Sequence, residues 1–377
     1  MDERSEFDRW FGPPATLVLQ PTTLCNLDCS YCYLPQRRRL HQMAPATVHA
    51  VATSAADLSF GGGTLDVVWH AGEPLTVGTQ AFAQMLAPFD ALRRDGRVQH
   101  FVQTNATLLT PAWCDLLARH QVRVGVSIDG PAALTGRRVD YRGKPATDRI
   151  LAGISLLRDH GIPFSIIAVV GPESIDRPEE MLDFLAALEP GSIGLNIEEM
   201  EGTNTAAVPI SVEQAERFWR RVLDWSAAPG HLPLLRDIHR LAEYLRLVRG
   251  GHRDAWESRR IDPIPTVAWN GDVALISPEL AGITAPAYGD FVAGNIHHRS
   301  LAEILATAHR LRYVREFMTG LNACRQTCSF WDFCRGGQAG NRYFENGTFT
   351  STETAFCRLT RQALITALDT ATKEYAA

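Results

Sequence analysis

From Thr16 onward, short β-rich runs alternate with longer stretches of helical periodicity, and this alternation restricts the fold more than any other feature of the 377-residue chain. Strand patterns fall at 16–20, 66–70, 99–104, 123–128, 164–170 and 192–198, with helical patterns at 45–58, 79–94, 111–119, 147–160 and 178–188 between them. This alternation argues for βα units and a mainly parallel sheet, because a parallel connection needs a crossover of a dozen or more residues, usually a helix. Six such units with right-handed crossovers predict an α/β fold built as a partial (β/α)6 TIM barrel. The competing layout is a doubly wound open sheet.

Past residue 201 the rhythm changes. Helical patterns cover 212–226 and 235–248, a Pro-rich run (Asp262-Pro-Ile-Pro) follows, and Asn270-Gly271 has the signature of a tight hairpin turn within 266–276. A helix is expected near 301–317 and a last one from about Phe356. The expected division is a barrel over 1–200, a helical bridging region over 201–262 and a cysteine-rich C-terminal domain over 263–377.

A hydrophobic fraction of 45% with 21% charged residues is ordinary for a chain that buries a core, and excludes disorder and coiled coil. No apolar run approaches the ~18 residues a membrane span needs, and the N-terminus carries charges of both signs without an apolar signal segment. A net charge of −5 gives no general attraction for nucleic acid or anionic lipid. The expectation is a soluble cytoplasmic protein with neither nucleic acid nor membrane as partner.

Of eight cysteines, seven form two groups: Cys25, Cys29 and Cys32, then Cys324, Cys328, Cys334 and Cys357. In a reducing compartment, grouped thiolates hold metal more often than they form disulfides. The first group follows the first predicted strand. His70-Ala-Gly72-Glu73-Pro74 follows the second, Gln103-Thr-Asn105 the third and Ser127-Ile-Asp129-Gly-Pro131 the fourth. Barrel chemistry collects at the carboxyl ends of strands, so one pocket would gather all four. Three closely spaced thiolates suit three corners of an iron–sulfur cubane and leave one iron open, whereas a zinc site would need a fourth ligand such as His41 or His70.

Cys25-x3-Cys29-x-Tyr31-Cys32 resembles the cysteine motif of radical S-adenosylmethionine (SAM) enzymes. The resemblance implies that SAM chelates the open iron and is cleaved to a 5′-deoxyadenosyl radical, with Tyr31 against the adenine. Ala71-Gly72-Glu73-Pro74 is similar to the family's GGEP motif, which implies that Gly72 and Glu73 serve the methionine ammonium. Asn105 matches the residue facing the ribose, and Ser127 the one that meets the SAM carboxylate. An arginine among Arg137, Arg138 and Arg142 would pair with that carboxylate, with Arg138 chosen. Ala71 and Ala106 stand where the motifs have glycine.

The second group, Cys324-x3-Cys328-x5-Cys334-x22-Cys357, resembles part of the SPASM domain of peptide-modifying radical SAM enzymes, whose full pattern has seven cysteines and two auxiliary clusters. Ile276 or Ser277, and Gln338, stand where further cysteines are usual. Two 4Fe-4S clusters are therefore implied, one binding SAM and one auxiliary and held by four thiolates, with a four-thiolate zinc site as the alternative. Segments 277–282, 288–296, 344–347 and 352–360 are similar to the cyclophane-forming maturases of glycine-rich-repeat peptides (GrrM/OscB). This implies a precursor-peptide substrate, a cross-link from an aromatic ring to a nearby β-carbon, and a flavodoxin or ferredoxin as electron donor. Closing that link requires the ring to lose a proton, and Glu279 is the candidate general base. Cys114 sits in a helical apolar pattern and reads as core. The Arg37-Arg38-Arg39 run reads as a solvated loop, with an acidic reductant or a leader peptide as its functional alternatives.

Overall fold

The computed structural model describes residues 3–58, 62–205, 208–228 and 233–376. Among them, ten strands form one sheet: β1 (Thr16–Leu19), β2 (Leu65–Trp69), β3 (Val98–Thr104), β4 (Arg123–Ser127), β5 (Phe164–Val170), β6 (Ser192–Ile197), β7 (Leu234–Leu235), β8 (Thr266–Val267), β9 (Asp272–Ala274) and β10 (Gly294–Asn295). Their order is β10-β9-β8-β1-β2-β3-β4-β5-β6-β7, and β1 to β7 pair successively in parallel. A doubly wound sheet reverses its order at a switch point. This one does not, so the architecture is the partial barrel.

Burial shows why the strands form where they do. Along β5 every second residue (Phe164, Ile166, Ala168, Val170) is buried under the outer helices, while Ile167 and Val169 face the barrel interior. Among the helices, Pro111–Arg119 begins with proline at its first turn and Thr110 capping the Trp113 N–H, a start legible from sequence. The single helix expected over 79–94 is instead two, Thr79–Leu86 and Asp90–Arg94, joined by a 3-10 turn at Ala87–Phe89. Pro88 lies in that turn, and proline removes a ladder hydrogen bond and clashes with the preceding turn.

Between the barrel strands and the C-terminal region, helices Val212–Ala227 and Arg236–Arg249 flank β7, a two-residue strand parallel to β6. Two residues carry no periodicity, so sequence patterning cannot reveal such a strand. β8 pairs in parallel with β1 and antiparallel with β9 through a turn at Gly271 (φ +88°), so the sheet runs without a break from the barrel into the C-terminal hairpin. The N-terminal helix Glu3–Trp10 lies against the C-terminal region, where Phe11 meets Phe317 (6.3 Å between centroids) and Trp10 meets Trp331 (5.8 Å). The segment Cys357–Gln362 is a π-helical turn leading into the helix Ala363–Ala376. Turns of this kind are frequent at functional sites. Among the described residues, no helix is long and apolar enough to cross a membrane.

Candidate functional site

Strand register brings the four loop signatures together. Trp69 near the end of β2 stands beside Leu19 of β1 and Val102 of β3; Thr104 pairs with Val126, and Ser127 with Ile167. The loops beyond these ends enclose a cavity of about 390 Å³. Its wall includes Cys25, Cys29, Cys32, Tyr31, Gly72, Glu73, Asn105, Ser127, Arg138 and Glu279, the residues chosen from sequence for the first cluster, SAM and proton transfer.

Gly72 allows the closest of these approaches. Its φ is +60°, and a Cβ there would lie 2.6 Å from the Leu24 carbonyl oxygen, 2.7 Å from that of Thr22 and 2.9 Å from the Thr23 carbonyl carbon. The backbone leading into Cys25 therefore lies directly on the β2 loop, fixed by the Glu73 N–H donating to Leu24 at 2.8 Å. Ala71 (φ +75°) and Ala106 (φ +59°), the two alanines standing for motif glycines, both keep left-handed backbone. Such conformations cost an alanine ~1–2 kcal/mol each.

Glu73 is buried and accepts from the Leu75 N–H (3.0 Å), the Thr104 hydroxyl (2.7 Å) and the Asn105 N–H (2.7 Å). Burial pushes its carboxyl up to about 6, against the pull of those donors. Of roughly four acceptor positions on a carboxylate, about one remains for a cation. The Asn105 amide donates to Asn26 (2.9 Å) and its oxygen accepts from the Thr107 N–H (3.0 Å) and hydroxyl (2.7 Å). The Ser127 hydroxyl accepts from Gln103 at 2.9 Å.

Two of the three arginines are already partnered. Arg138, buried, makes a two-point contact with Asp129 at 2.9 and 3.0 Å. Arg137 forks onto Glu198, and Arg142 is exposed, outside the cavity lining. Tyr31 donates its hydroxyl to Asp129 and lies under both Arg137 (5.2 Å) and Arg138 (5.5 Å). The motif's aromatic ring thus belongs to an Asp–Tyr–Arg network beside Cys29.

Both cysteine groups face voids of their own, and their residues were tested as cluster ligands. Burial pushes the Cys25 thiol up to about 12 and Cys29 to about 11, with neighbouring thiols and Glu73 adding to the rise at Cys25. Thiols so placed remain protonated unless a cation takes their charge, which is what a bound iron cluster does. Cys324, Cys328, Cys334 and Cys357 border a second, smaller void. There the buried Arg342 donates to Cys324 Sγ (3.4 Å) and the Thr354 hydroxyl to Cys357 Sγ (3.2 Å), donors that stabilise thiolate. Among the described residues, no three His, Cys, Asp or Glu side chains crowd closely enough to share one metal ion. A cubane takes one thiolate per iron and so needs no such crowding; three thiols in the first group and four in the second are ligands of the type an iron–sulfur cluster uses. Of the two histidines considered for zinc, His41 stacks on Trp269 (4.3 Å) outside the cavity wall, while His70 within it meets the Tyr33 hydroxyl (2.8 Å) and is kept neutral by burial, its pKa near 4.

The cavity wall also holds residues that sequence reasoning did not single out. Past the end of β6, Glu199 and Glu201 lie with Glu279, and the buried Asn341 amide donates to both Glu199 and Glu201. Glu279 is held by the Ser277 hydroxyl. Burial raises all three carboxyls, Glu199 to about 7, and their mutual repulsion adds to the rise at Glu199 and Glu201. The signal available was positional: Glu198-Glu199-Met-Glu201 follows the sixth barrel strand. Phe356 and, from the π-helical turn that follows it, Thr360 and Arg361 also line the cavity, and Arg361 borders the void of the four thiols as well.

Comparison with known proteins agrees with this arrangement. The radical SAM superfamily profile matches residues 19–185. An uncharacterised protein of Synechocystis sp. is 33% identical over 357 residues, 92% of this chain and 89% of its own length. A serine-type anaerobic sulfatase-maturating enzyme of Klebsiella aerogenes is 32% identical over 187 residues, 46% of this chain and 44% of that enzyme. In fold, the chain is similar to native anSMEcpe with bound AdoMet and Cp18Cys peptide (TM-score 0.74, 16% identity, 96% of this chain and 99% of that one). It is also similar to Streptococcus suis SuiB bound to precursor peptide SuiA (TM-score 0.65, 18% identity, 92% and 76%). With three thiols, the Gly-Glu-Pro turn and the strand-end polar groups converging at the carboxyl ends of a parallel barrel, residues 19–185 belong to the radical SAM superfamily.

Proposed function

We propose that this protein is a peptide maturase that joins an aromatic ring to the β-carbon of a nearby residue in a ribosomally made precursor. The observation that carries the reading is that the three-thiol loop and a buried group of carboxylates line one cavity. Bound at that loop, a 4Fe-4S cluster with SAM would supply an adenosyl radical able to take hydrogen from an unactivated carbon. Glu73 has an acceptor position left for the methionine ammonium, with charge assistance. Asn105 and Ser127 stand at neighbouring strand ends for the ribose and the carboxylate. Arg138 adds fixed positive charge on the carboxylate side while bound to Asp129.

Ile167, Val169, Leu195, Ile197 and Phe356 give the cavity an apolar wall on which an aromatic ring can pack and from which water is displaced. Glu279, with Glu199 and Glu201, then receives the ring proton, since carboxyls raised toward neutrality are suited to that work. Each link removes two hydrogens from the peptide: one would leave as a hydrogen atom to the adenosyl radical, the other as the ring proton plus one electron, for which a second iron–sulfur cluster would be the acceptor. The four later cysteines hold an auxiliary cluster with no iron left open. Co-expression with the small open reading frame beside the gene, followed by tandem mass spectrometry, tests the reading: the product should lack two hydrogens per link and resist fragmentation within an aromatic-x-x segment. A product of unchanged mass bearing a D-residue would refute it.

Sequence identity to sulfatase-maturating enzymes supports a second reading, formylglycine formation. Where further thiolates are usual stand Ile276 or Ser277, the latter holding Glu279, and Gln338, which lines the cavity; this favours the first.

A further inference from the structure

Outside the cavity, on the solvent side of the three-cysteine loop, the half-exposed ring of Tyr141 stands over the first thiol ligand. Its hydroxyl contacts the Cys25 carbonyl at 2.7 Å and the Arg37 carbonyl at 3.0 Å. Arg38 lies over the ring at 5.3 Å. Tyr141 is part of a tight turn in which Asp140 accepts the Arg142 and Lys144 N–H groups at 2.9 and 3.0 Å. Arg37, Arg38, Arg39, Arg142, Lys144 and Arg149 are carried by these two loops and the helix that follows. The carboxylates there are Asp28, which holds Arg37 and Arg38, Asp140, which holds Arg149 at 3.4 Å, and the exposed Asp148. Cations prevail on this face although the chain as a whole carries −5.

We propose that this face is the docking surface for an acidic one-electron carrier protein, with Tyr141 at its centre as the contact nearest the catalytic thiols. The proposal rests on the radical SAM reading, which requires an electron from outside. Substrate fills the cavity, so the electron must enter from another side. Tyr141 and the arginine turn are absent from the cavity wall, yet Tyr141 is hydrogen-bonded to the backbone of Cys25. One electron leaves the reduced carrier and reduces the cluster held by Cys25, Cys29 and Cys32; no atom is transferred. On a net-acidic chain, a local basic patch orients an acidic partner and raises its encounter rate.

Direct binding of an acidic flavodoxin tests this, comparing the parent with the Arg39→Glu/Lys144→Glu double variant at about 20 mM and about 300 mM salt. Both positions are exposed, outside the cavity wall, and reversible in charge without core disruption. The expected result is affinity at least about tenfold weaker for the variant at low salt, converging with the parent at high salt. In parallel, 5′-deoxyadenosine formation driven by dithionite should be equal in both proteins, while formation driven by reduced flavodoxin should fall in the variant. Affinity within twofold of the parent, or parent binding insensitive to salt, overturns the proposal. So does loss of precursor-peptide binding with flavodoxin binding intact. Absence of dithionite-driven cleavage in the parent would instead refute the catalytic reading, and the binding comparison still decides the docking surface.

Discussion

Replacing Gly72 with alanine tests how the catalytic loop is held. Alanine at φ +60° costs ~1–2 kcal/mol for left-handed backbone alone. Its Cβ would also lie 2.6 to 2.9 Å from three backbone atoms of Thr22–Leu24. No side-chain rotation relieves contact with backbone, so the loop must move, at a further ~1–3 kcal/mol typical of overpacking. The sum, ~2–5 kcal/mol, is a large part of an ordinary protein's stability. Urea unfolding of the metal-free protein should show this loss, and the reconstituted variant should bind less iron at the first site, because Cys25 follows Leu24 directly. Ala71→Gly is the internal control: relief of strain at φ +75° and the greater freedom of unfolded glycine nearly cancel, leaving stability within about 1 kcal/mol. If Gly72→Ala were as stable as the parent to about 0.5 kcal/mol and bound full iron, the argument that this glycine sets the loop's position would fail.

Further outcomes are expected at the remaining sites. Reconstituted protein should carry about eight irons per chain, and replacing Cys25, Cys29 and Cys32 with alanine should leave about half, with SAM cleavage abolished; a third cluster's worth of iron, or zinc in the four-thiol site, would contradict this ligand assignment. Glu73→Gln should weaken SAM binding by about ten- to a hundredfold, the worth of one charge-assisted hydrogen bond, while peptide affinity changes less than twofold by calorimetry. Glu199, buried among Glu201, Glu279, Glu345, Asn341 and Arg361, has a folded pKa near 7, above its unfolded value. Its contribution is fully present below about pH 4.5 and is lost as pH rises through 7, so Glu199→Gln should flatten the fall of stability across that window in pH-dependent unfolding. Glu279→Gln should slow cross-link formation at least about tenfold while uncoupled 5′-deoxyadenosine formation persists; equal loss of both would place Glu279 with SAM instead of the ring.

Much of this arrangement is written in local sequence. The period-2 and period-3.6 patterns place six strands and the helices between them. The cysteine spacings, the Gly-Glu-Pro turn and the residues ending strands three and four identify what hangs from the sheet edge. These features are short-range: a strand needs only its own alternation, and a loop ligand only its place after a strand. Tertiary structure decided the rest. Only the observed pairing order distinguished a barrel from a doubly wound sheet, since both use the same alternation. β7 emerged only through pairing with β6, and the helix expected over 79–94 yielded to Pro88. Nothing local separates Arg138 from Arg137 and Arg142, and its engagement with Asp129 depends on where β4 and the following turn meet. Glu199, Glu201 and Glu279 are separated by up to eighty residues and share one cavity wall, the first two bridged by Asn341 from yet another segment. A carboxylate's proton affinity depends on burial and on charges brought close by folding, and neither is a property of its neighbours in sequence.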